Sequence, residues 1–271
     1  NHARARAELE EALRLAPDYL EAAIANIRSL VLSGKNEEAN TRLVALKAKQ
    51  PENLAIRQLE GWVALKQGRP EETVTILTKL LSENNTWTTT NELAVAHWQN
   101  KDSKAAIETI RSWVRNNPDQ IAPKIELANY LILAEQRNEA VALWENIISV
   151  DPENWVILNN LADSLQDQDP EKSLGYAERA YKLNPNAPPV ALTLASALLA
   201  NSREPNRAEK LVASVAKQFP DNVSASILLV KAMLKNGNSE GARNTLIELR
   251  AKNLTPKEAA AVDELERQIS G

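Results

Sequence analysis

Apolar side chains recur along this chain at the spacing of an α-helix, with charged residues between them. The segment 256–270 shows the pattern well, since Ala259, Val262, Leu265 and Ile269 follow one another at three- and four-residue steps. That spacing places the four side chains on one face of a helix and leaves the intervening Glu and Arg residues for water. The pattern predicts a terminal helix with one buried and one hydrated face.

A second, longer period is marked by proline, and its clearest copy reads Asp151-Pro152-Glu153-Asn154. The marks recur at intervals of 33 to 36 residues, at Pro17, Pro51, Pro118, Pro152, Pro185, Pro220 and Pro256, with Asn85 in the single gap. Self-similarity with this period is typical of solenoids, in which each repeat is one supersecondary unit stacked on its neighbours. The chain is therefore predicted to be a repeat array.

A small residue between successive prolines indicates two helices per repeat. It occurs at Ala5, Ala39, Thr73, Ala106, Ala140, Ser173, Ala208 and Ala242. Turn-like clusters such as Gln67-Gly68-Arg69-Pro70 precede most of these positions, with Gly or Asn for the left-handed end of one helix and Pro70, Pro170 or Pro205 for the first turn of the next. Each repeat is predicted to contain a helix A, a tight turn, a helix B and a proline-marked turn.

These marks predict that the chain is one continuous all-α solenoid with three parts. Residues 1–19 are predicted to hold helix B of a truncated repeat, residues 20–255 seven helix pairs, and residues 256–271 a capping helix. The chain begins without Met and partway through a repeat. We interpret it as a piece of a longer protein.

Composition narrows the class of function. Only 7 Gly and 4% aromatic residues favour helices over sheets, and the net charge of −4 argues against nucleic-acid binding, which depends on neutralising phosphates. The chain has no Cys, so it has neither disulfides nor thiolate chemistry. No apolar run approaches the length that spans a bilayer. Membrane attachment would need an anchor outside this fragment.

A repeat of 34 residues with a small residue late in helix A, Ala opening helix B and Pro closing it resembles the tetratricopeptide repeat. Counting the third residue after each proline as position one, Gly61, Ala128, Ala162 and Ala195 occupy position eight, where that family has Gly or Ala. Position eight is predicted to be Ile27, Val95 and Val230 in the other three pairs. Position eleven, usually large, is Leu30, Ala64, Trp98, Leu131, Leu165, Leu198 and Met233. The resemblance covers nearly the whole chain and implies a right-handed α-solenoid that binds other proteins.

The resemblance also implies a binding surface, because positions two, five, nine, twelve and thirteen of helix A line the concave face of such arrays. The polar or aromatic residues predicted there are Arg28, Gln58, Trp62, Glu92, Gln99, Asn129, Asn159, Asp163, Gln166, Ser196 and Lys231. Amide side chains both donate and accept hydrogen bonds, so a row of Asn and Gln can hold the backbone of an extended peptide. Trp62 is the predicted anchor.

One family variant, which binds the C-terminal carboxylate of chaperones, is not expected. Asn129 and Asn160 match its two asparagines, but Ile125, Pro189 and Thr193 stand where it has cations. A carboxylate buried there without a partner would be costly.

Candidate chemistry is sparse, and we predict no catalytic residue, metal or cofactor. The two histidines, His2 and His97, are far apart, whereas zinc sites need three or four ligands. Asp163 and Asp167 lie four residues apart near a helix end, and paired carboxylates can do acid–base work. A solvated helix end is the favoured interpretation of this pair.

Two other functional classes stay open at this stage. In the first, the chain binds or processes carbohydrate, with Trp62 stacked on a sugar and Asp163 and Asp167 on its hydroxyls. In the second, the exposed apolar faces of the array assemble with further copies of the chain.

The turns in which proline is followed by an acidic residue and asparagine also resemble those of bacterial cell-envelope repeat proteins. In particular they resemble the repeat-containing lipoproteins associated with exosortase (PEP-CTERM) sorting and exopolysaccharide export. That resemblance implies a periplasmic or outer-membrane-anchored scaffold.

Overall fold

The computed structural model describes residues 2–270, and every regular element in that range is an α-helix. The helices are α1 (His2–Leu15), α2 (Leu20–Leu32), α3 (Asn36–Lys49), α4 (Leu54–Lys66), α5 (Pro70–Glu83), α6 (Trp87–Gln99), α7 (Ser103–Asn116), α8 (Ile121–Leu133), α9 (Arg137–Val150), α10 (Trp155–Leu165), α11 (Pro170–Leu183), α12 (Pro188–Ala200), α13 (Pro205–Gln218), α14 (Val223–Lys235), α15 (Ser239–Arg250) and α16 (Pro256–Ser270). The all-α prediction is confirmed. His2 and Ala5, which the sequence analysis named, are residues whose side chains the structure does not describe.

Six of the seven tight turns that follow an A helix contain a residue in the left-handed conformation, and the turn between α10 and α11 is the exception. In three turns it is a glycine, with φ of 73° at Gly34, 73° at Gly68 and 79° at Gly237. This backbone geometry lets N–H groups of the turn donate hydrogen bonds to carbonyls in the last turn of the helix. The Gly34 N–H, for example, donates to the Val31 carbonyl. In three other turns a residue with a side chain takes this conformation, namely Lys101, Glu135 and Ser202. Asn100, which precedes Lys101, has φ of −79° and caps α6.

Asparagine has a defined role in the proline-marked turns. The Oδ1 atoms of Asn53, Asn154 and Asn222 accept hydrogen bonds from backbone N–H groups in the first turns of α4, α10 and α14. An N-cap of this kind satisfies one of the N–H groups that a helix start leaves unpaired. In these three repeats the asparagine after proline is therefore the start signal of helix A. Pro70, Pro170 and Pro205 open helix B, as predicted.

The turn before α6 differs from the others and corrects the register predicted for that repeat. The other A helices that follow a proline begin three residues after it, whereas α6 begins at Trp87, two residues after Asn85. Position eight of this helix is consequently Ala94, which is fully buried, and the half-buried Val95 follows it. The prediction of Val95 at position eight is wrong. The repeat keeps the small residue that close helix packing requires.

Contacts divide the chain into two compact units, Asn1–Gln136 and Arg137–Gly271. Within unit 1, consecutive A helices touch in the pairs α2–α4 and α4–α6, and each also packs on the B helix that follows it. Within unit 2 the same holds for α10, α12 and α14, and the last helix, α16, packs on α14 and α15. Each unit is thus a stack of helix pairs. The division of the chain into truncated repeat, seven pairs and cap stays a prediction.

The small residues of helix B pack against position eight of helix A. Thr73 and Ser173 are both fully buried. The Thr73 hydroxyl donates to the Gly61 carbonyl at 3.2 Å, and the Ser173 hydroxyl donates to the Ala162 carbonyl at 2.6 Å. These buried hydroxyls are paired, so they carry no desolvation penalty of the kind an orphaned group would have. The large residues predicted to fill the seams between repeats, Leu43, Leu77, Trp144 and Leu246, are all buried.

Candidate binding surface on the A helices

The residues predicted to bind a partner all lie outside the buried core. Gln58, Trp62, Glu92, Asn159, Gln166 and Ser196 are half-buried, and Arg28, Gln99, Asn129, Asp163 and Lys231 are exposed. Such side chains keep polar groups at the surface while their stems pack on the helix layer. Their role in binding stays a prediction. The structure shows which of them contact one another.

In unit 1, neighbouring A helices are joined by contacts among these side chains. The Arg28 guanidinium lies 5.3 Å from the centroid of the Trp62 ring, a cation–π contact between α2 and α4. Gln58 Nε2 donates to Glu92 Oε2 at 3.1 Å, which joins α4 to α6. A sugar stacking on Trp62 would compete with Arg28 for the indole face. Several polar side chains on the surface of unit 1 are therefore already paired with one another.

The shorter turn before α6 changes which residues of that helix occupy the predicted positions. Glu92 moves to position six and Gln99 to position thirteen, while Asn91 takes position five and Trp98 position twelve. Asn91 has its Oδ1 atom buried with no hydrogen-bond partner in the described structure, and Trp98 packs edge-on against Tyr130 at 5.1 Å. Sequence reasoning missed both residues. Thr86, which caps α6 one residue earlier than the asparagines of other repeats do, was the available signal.

Glu92 is the carboxylate of this surface with the most perturbed titration. Burial raises its pKa above the ordinary glutamate value, while the Gln58 hydrogen bond and the charges of Arg28 and Lys66 act in the opposite direction. A carboxyl whose pKa is higher in the folded chain binds its proton more tightly there than in the unfolded chain. Its contribution to stability is therefore present at low pH and is lost as pH rises through the folded-state pKa.

We expect Glu92→Gln to remove this pH dependence, because the amide cannot titrate and its oxygen can still accept the Gln58 hydrogen bond. The free energy of unfolding of the variant should rise relative to the native chain as pH increases from below the ordinary Glu pKa to neutrality. Urea unfolding over a pH series measures it. Glu37→Gln, at an exposed glutamate, is the matched control. Parallel pH profiles for the native chain and Glu92→Gln would contradict the prediction.

In unit 2, the amides of Asn159 on α10 and Gln166 at its C-terminal end each have one atom buried within the protein. Ser196 Oγ donates to Gln166 Oε1 at 3.0 Å across α10 and α12. Gln166 Nε2 and Asn159 Oδ1 are buried and have no hydrogen-bond partner among the described atoms. A buried polar group left unpaired costs on the order of 1–3 kcal/mol. Each of these two atoms would have to become accessible before it could bind a peptide backbone.

A cleft of about 840 Å³ opens in unit 2 between α12, α14 and α16. Its apolar lining residues are Leu199, Ala200, Leu228, Leu234, Ala261 and Leu265. Its polar lining residues are Ser196, Lys231, Lys235, Ser239, Glu264 and Gln268. Ser196 and Lys231 were predicted from the repeat positions, whereas the contribution of α16 was missed because that helix had been interpreted only as a cap. We call this feature the α12–α14–α16 cleft.

The aspartates considered for acid–base chemistry are both exposed. Asp163 lies on α10, and Asp167 lies beyond the end of that helix, 3.9 Å from Arg137. Both belong to unit 2, and Trp62 belongs to unit 1. The favoured interpretation of a solvated helix end agrees with this exposure.

The described residues contain no group of three or more His, Cys, Asp or Glu side chains placed to hold a metal ion. His97 is half-buried, and burial lowers its pKa. Across residues 2–270, every helix is too short or too polar to cross a bilayer.

Several solved structures share this arrangement of helices. The chain of the APC/C hetero-tetramer Cut9–Hcn1 superposes with a TM-score of 0.61 at 13% identity, over 98% of this chain and 52% of that one. Yeast Tom70 superposes with a TM-score of 0.61 at 17% identity, over 98% of this chain and 58% of that one. Pseudomonas aeruginosa pilF superposes with a TM-score of 0.62 at 20% identity, over 79% of this chain and 97% of that one. This chain thus spans only about half of the first of these proteins. At such identities the likeness shows the fold alone.

Comparison with protein families identifies the repeats directly. No curated protein sequence matches the chain. Two family models, both described as tetratricopeptide repeat, match residues 59–121, 125–188 and 202–265. The matched segments make up more than half of the chain and include helix pairs from both units. Together with the paired helices and their buried small residues, they show that this chain belongs to the tetratricopeptide repeat family.

Proposed function

We propose that the chain is a non-catalytic scaffold that binds an extended peptide or protein segment along its A helices. Proteins of this repeat family generally mediate protein–protein interaction. The observation that carries the proposal here is the α12–α14–α16 cleft, because it combines an open apolar floor with polar groups on its rim. Apolar side chains of a partner would bury on the floor, and the rim would orient the partner's backbone.

The lining of the cleft supports binding over simple surface irregularity. Leu199, Leu228 and Leu234 are only partly buried by the protein itself, although they belong to helices whose other faces are fully packed. Covering such side chains stabilises a complex by about 25 cal/mol for each Å² of apolar surface removed from water. A volume of about 840 Å³ accommodates several partner side chains.

We further propose that the scaffold works in a bacterial envelope assembly, such as a polysaccharide-export or protein-sorting system. The support is the sequence resemblance of its proline-acid-asparagine turns to envelope repeat proteins. Fractionation of bacterial cells that express the protein from its own gene tests this placement. Recovery with the cytoplasmic fraction alone would overturn it.

Peptide selection with a blocked cleft tests the binding function. Peptides selected from a random display library on the native chain should lose about tenfold or more in affinity when Ala200→Trp fills the cleft, since Ala200 is exposed and lines it. Ala142→Trp, at an exposed alanine on α9, is the matched control and should leave affinity unchanged. Fluorescence anisotropy measures both. Failure to select any peptide whose binding responds to Ala200→Trp would overturn the proposal.

A further inference from the structure

The α12–α14–α16 cleft has an asymmetric distribution of charge. Lys231 and Lys235 both line it and lie four residues apart on α14, so they project from the same side of that helix. Both are exposed, and neither forms an ion pair with any described residue. The cleft therefore presents two ammonium groups whose charge is not balanced within unit 2 as described.

The one acidic side chain of the lining is already neutralised. Glu264 accepts an ion pair from Arg267 Nη2 at 2.7 Å, and Gln268 Nε2 lies 3.4 Å from its other oxygen. Arg267 therefore balances Glu264, and the two lysines set the local charge. This local positive field stands on a chain whose net charge is −4. Fields of this kind select partners of opposite charge and speed their encounter.

The polar residues of unit 1 form a contrasting arrangement. There Arg28 is directed onto the Trp62 ring and Glu92 accepts from Gln58, so charged groups at that surface already have internal partners. Unpartnered cations beside an apolar floor are found in the α12–α14–α16 cleft instead. Ammonium groups form their strongest hydrogen bonds with carboxylates.

We infer that the α12–α14–α16 cleft binds a segment of a partner protein in which leucine-like side chains alternate with acidic residues. The apolar side chains pack on Leu199, Leu228 and Leu234, and two carboxylates pair with Lys231 and Lys235. This inference rests on the proposed function, since it specifies the chemistry of the segment that the scaffold binds.

Three fluorescein-labelled peptides of equal length and equal leucine content test the inference. Their polar positions are all Glu, all Gln or all Lys. The native chain should bind the Glu peptide about tenfold more tightly than the Gln peptide, and this preference should shrink as salt is raised. The Lys peptide should bind weakest. Equal affinity for the Glu and Gln peptides would overturn the inference.

Charge reversal localises the effect. In the double variant Lys231→Glu, Lys235→Glu the preference should invert toward the Lys peptide. The double variant Lys210→Glu, Lys217→Glu changes net charge equally at exposed lysines of α13 and should keep the native preference. Circular dichroism checks folding, and Lys231→Gln, Lys235→Gln replaces the reversal if that variant unfolds. An unchanged preference in the folded variant would overturn the inference.

The two proposals fail in different ways. In one outcome, Ala200→Trp blocks binding of the Gln peptide but substitution of Lys231 and Lys235 has no effect on it. That result would support the scaffold function and contradict the acidic-segment inference. Absence of any binding that responds to Ala200→Trp would remove both.

Discussion

Replacing Leu194 with Ala should lower the free energy of unfolding by about 2–5 kcal/mol. Leu194 is fully buried on α12, in a cluster that includes Leu174 on α11 and Val212 on α13. The truncation removes apolar contacts and leaves a cavity that helices of two neighbouring pairs would have to move to fill. Urea unfolding followed by circular dichroism measures the loss. Leu133→Ala, at a leucine that is 65% exposed, is the matched control and should change stability much less.

The effect of Leu194→Ala should also be local. Each repeat of such an array contacts mainly its neighbours, so stability is close to a sum of repeat and seam contributions. Hydrogen exchange should show the largest loss of protection in α11, α12 and α13, and a smaller loss in α2 to α5. An equal loss throughout residues 2–270 would show that the chain unfolds as one cooperative body and would contradict this expectation.

Gly61→Ala should destabilise the chain by up to about 2 kcal/mol, although Ala is the better helix former. A Cβ atom at Gly61 would lie 2.4 Å from Leu77 Cδ2 and 2.8 Å from Leu77 Cγ, and Leu77 is fully buried. Overpacking of this kind costs about 1–3 kcal/mol. The improved helix propensity of α4 offsets about 1 kcal/mol of it. Thermal or urea unfolding of the variant measures the net change.

Gly175→Ala provides a control of opposite sign. Gly175 lies inside α11, is exposed, and has no atom within 4 Å of the position its Cβ would take. The same substitution there should stabilise the chain by about 1 kcal/mol, because only the propensity effect remains. If both variants gained stability, the contact between Gly61 and Leu77 would not restrict the packing of α4 on α5.

The repeat family could be predicted from residues that act locally. The proline at the end of helix B and the asparagine that caps helix A each act within about one turn of their own position, and the small residue at position eight packs against helix B of the same repeat. The one error in the register came from the turn at residues 84–86, where Asn85 stands in for proline but the next helix begins a residue early. Asparagine does not constrain the backbone as proline does, so it marked the end of α5 without setting the start of α6.

The candidate site was predicted in part. Lys231 and Ser196 were identified from repeat positions, because side chains at those positions of helix A point away from helix B. Lys235 and the residues of α16 that complete the cleft were not identified. Their contribution depends on how α16 packs on α14, a contact between segments more than 20 residues apart in sequence.

The sequence by itself determined the helical class, the length of the repeat and the positions of the turns, apart from the start of α6, since these follow from short-range spacing, capping and backbone preference. Only the tertiary structure decided which polar side chains have internal partners, so that Arg28 and Glu92 are engaged while Lys231 and Lys235 are not. The tertiary structure alone also decided that the last helix forms one wall of a cleft. The physical reason is that burial and charge pairing depend on neighbours brought together from different repeats, and the spacing of residues along one helix carries no record of those neighbours.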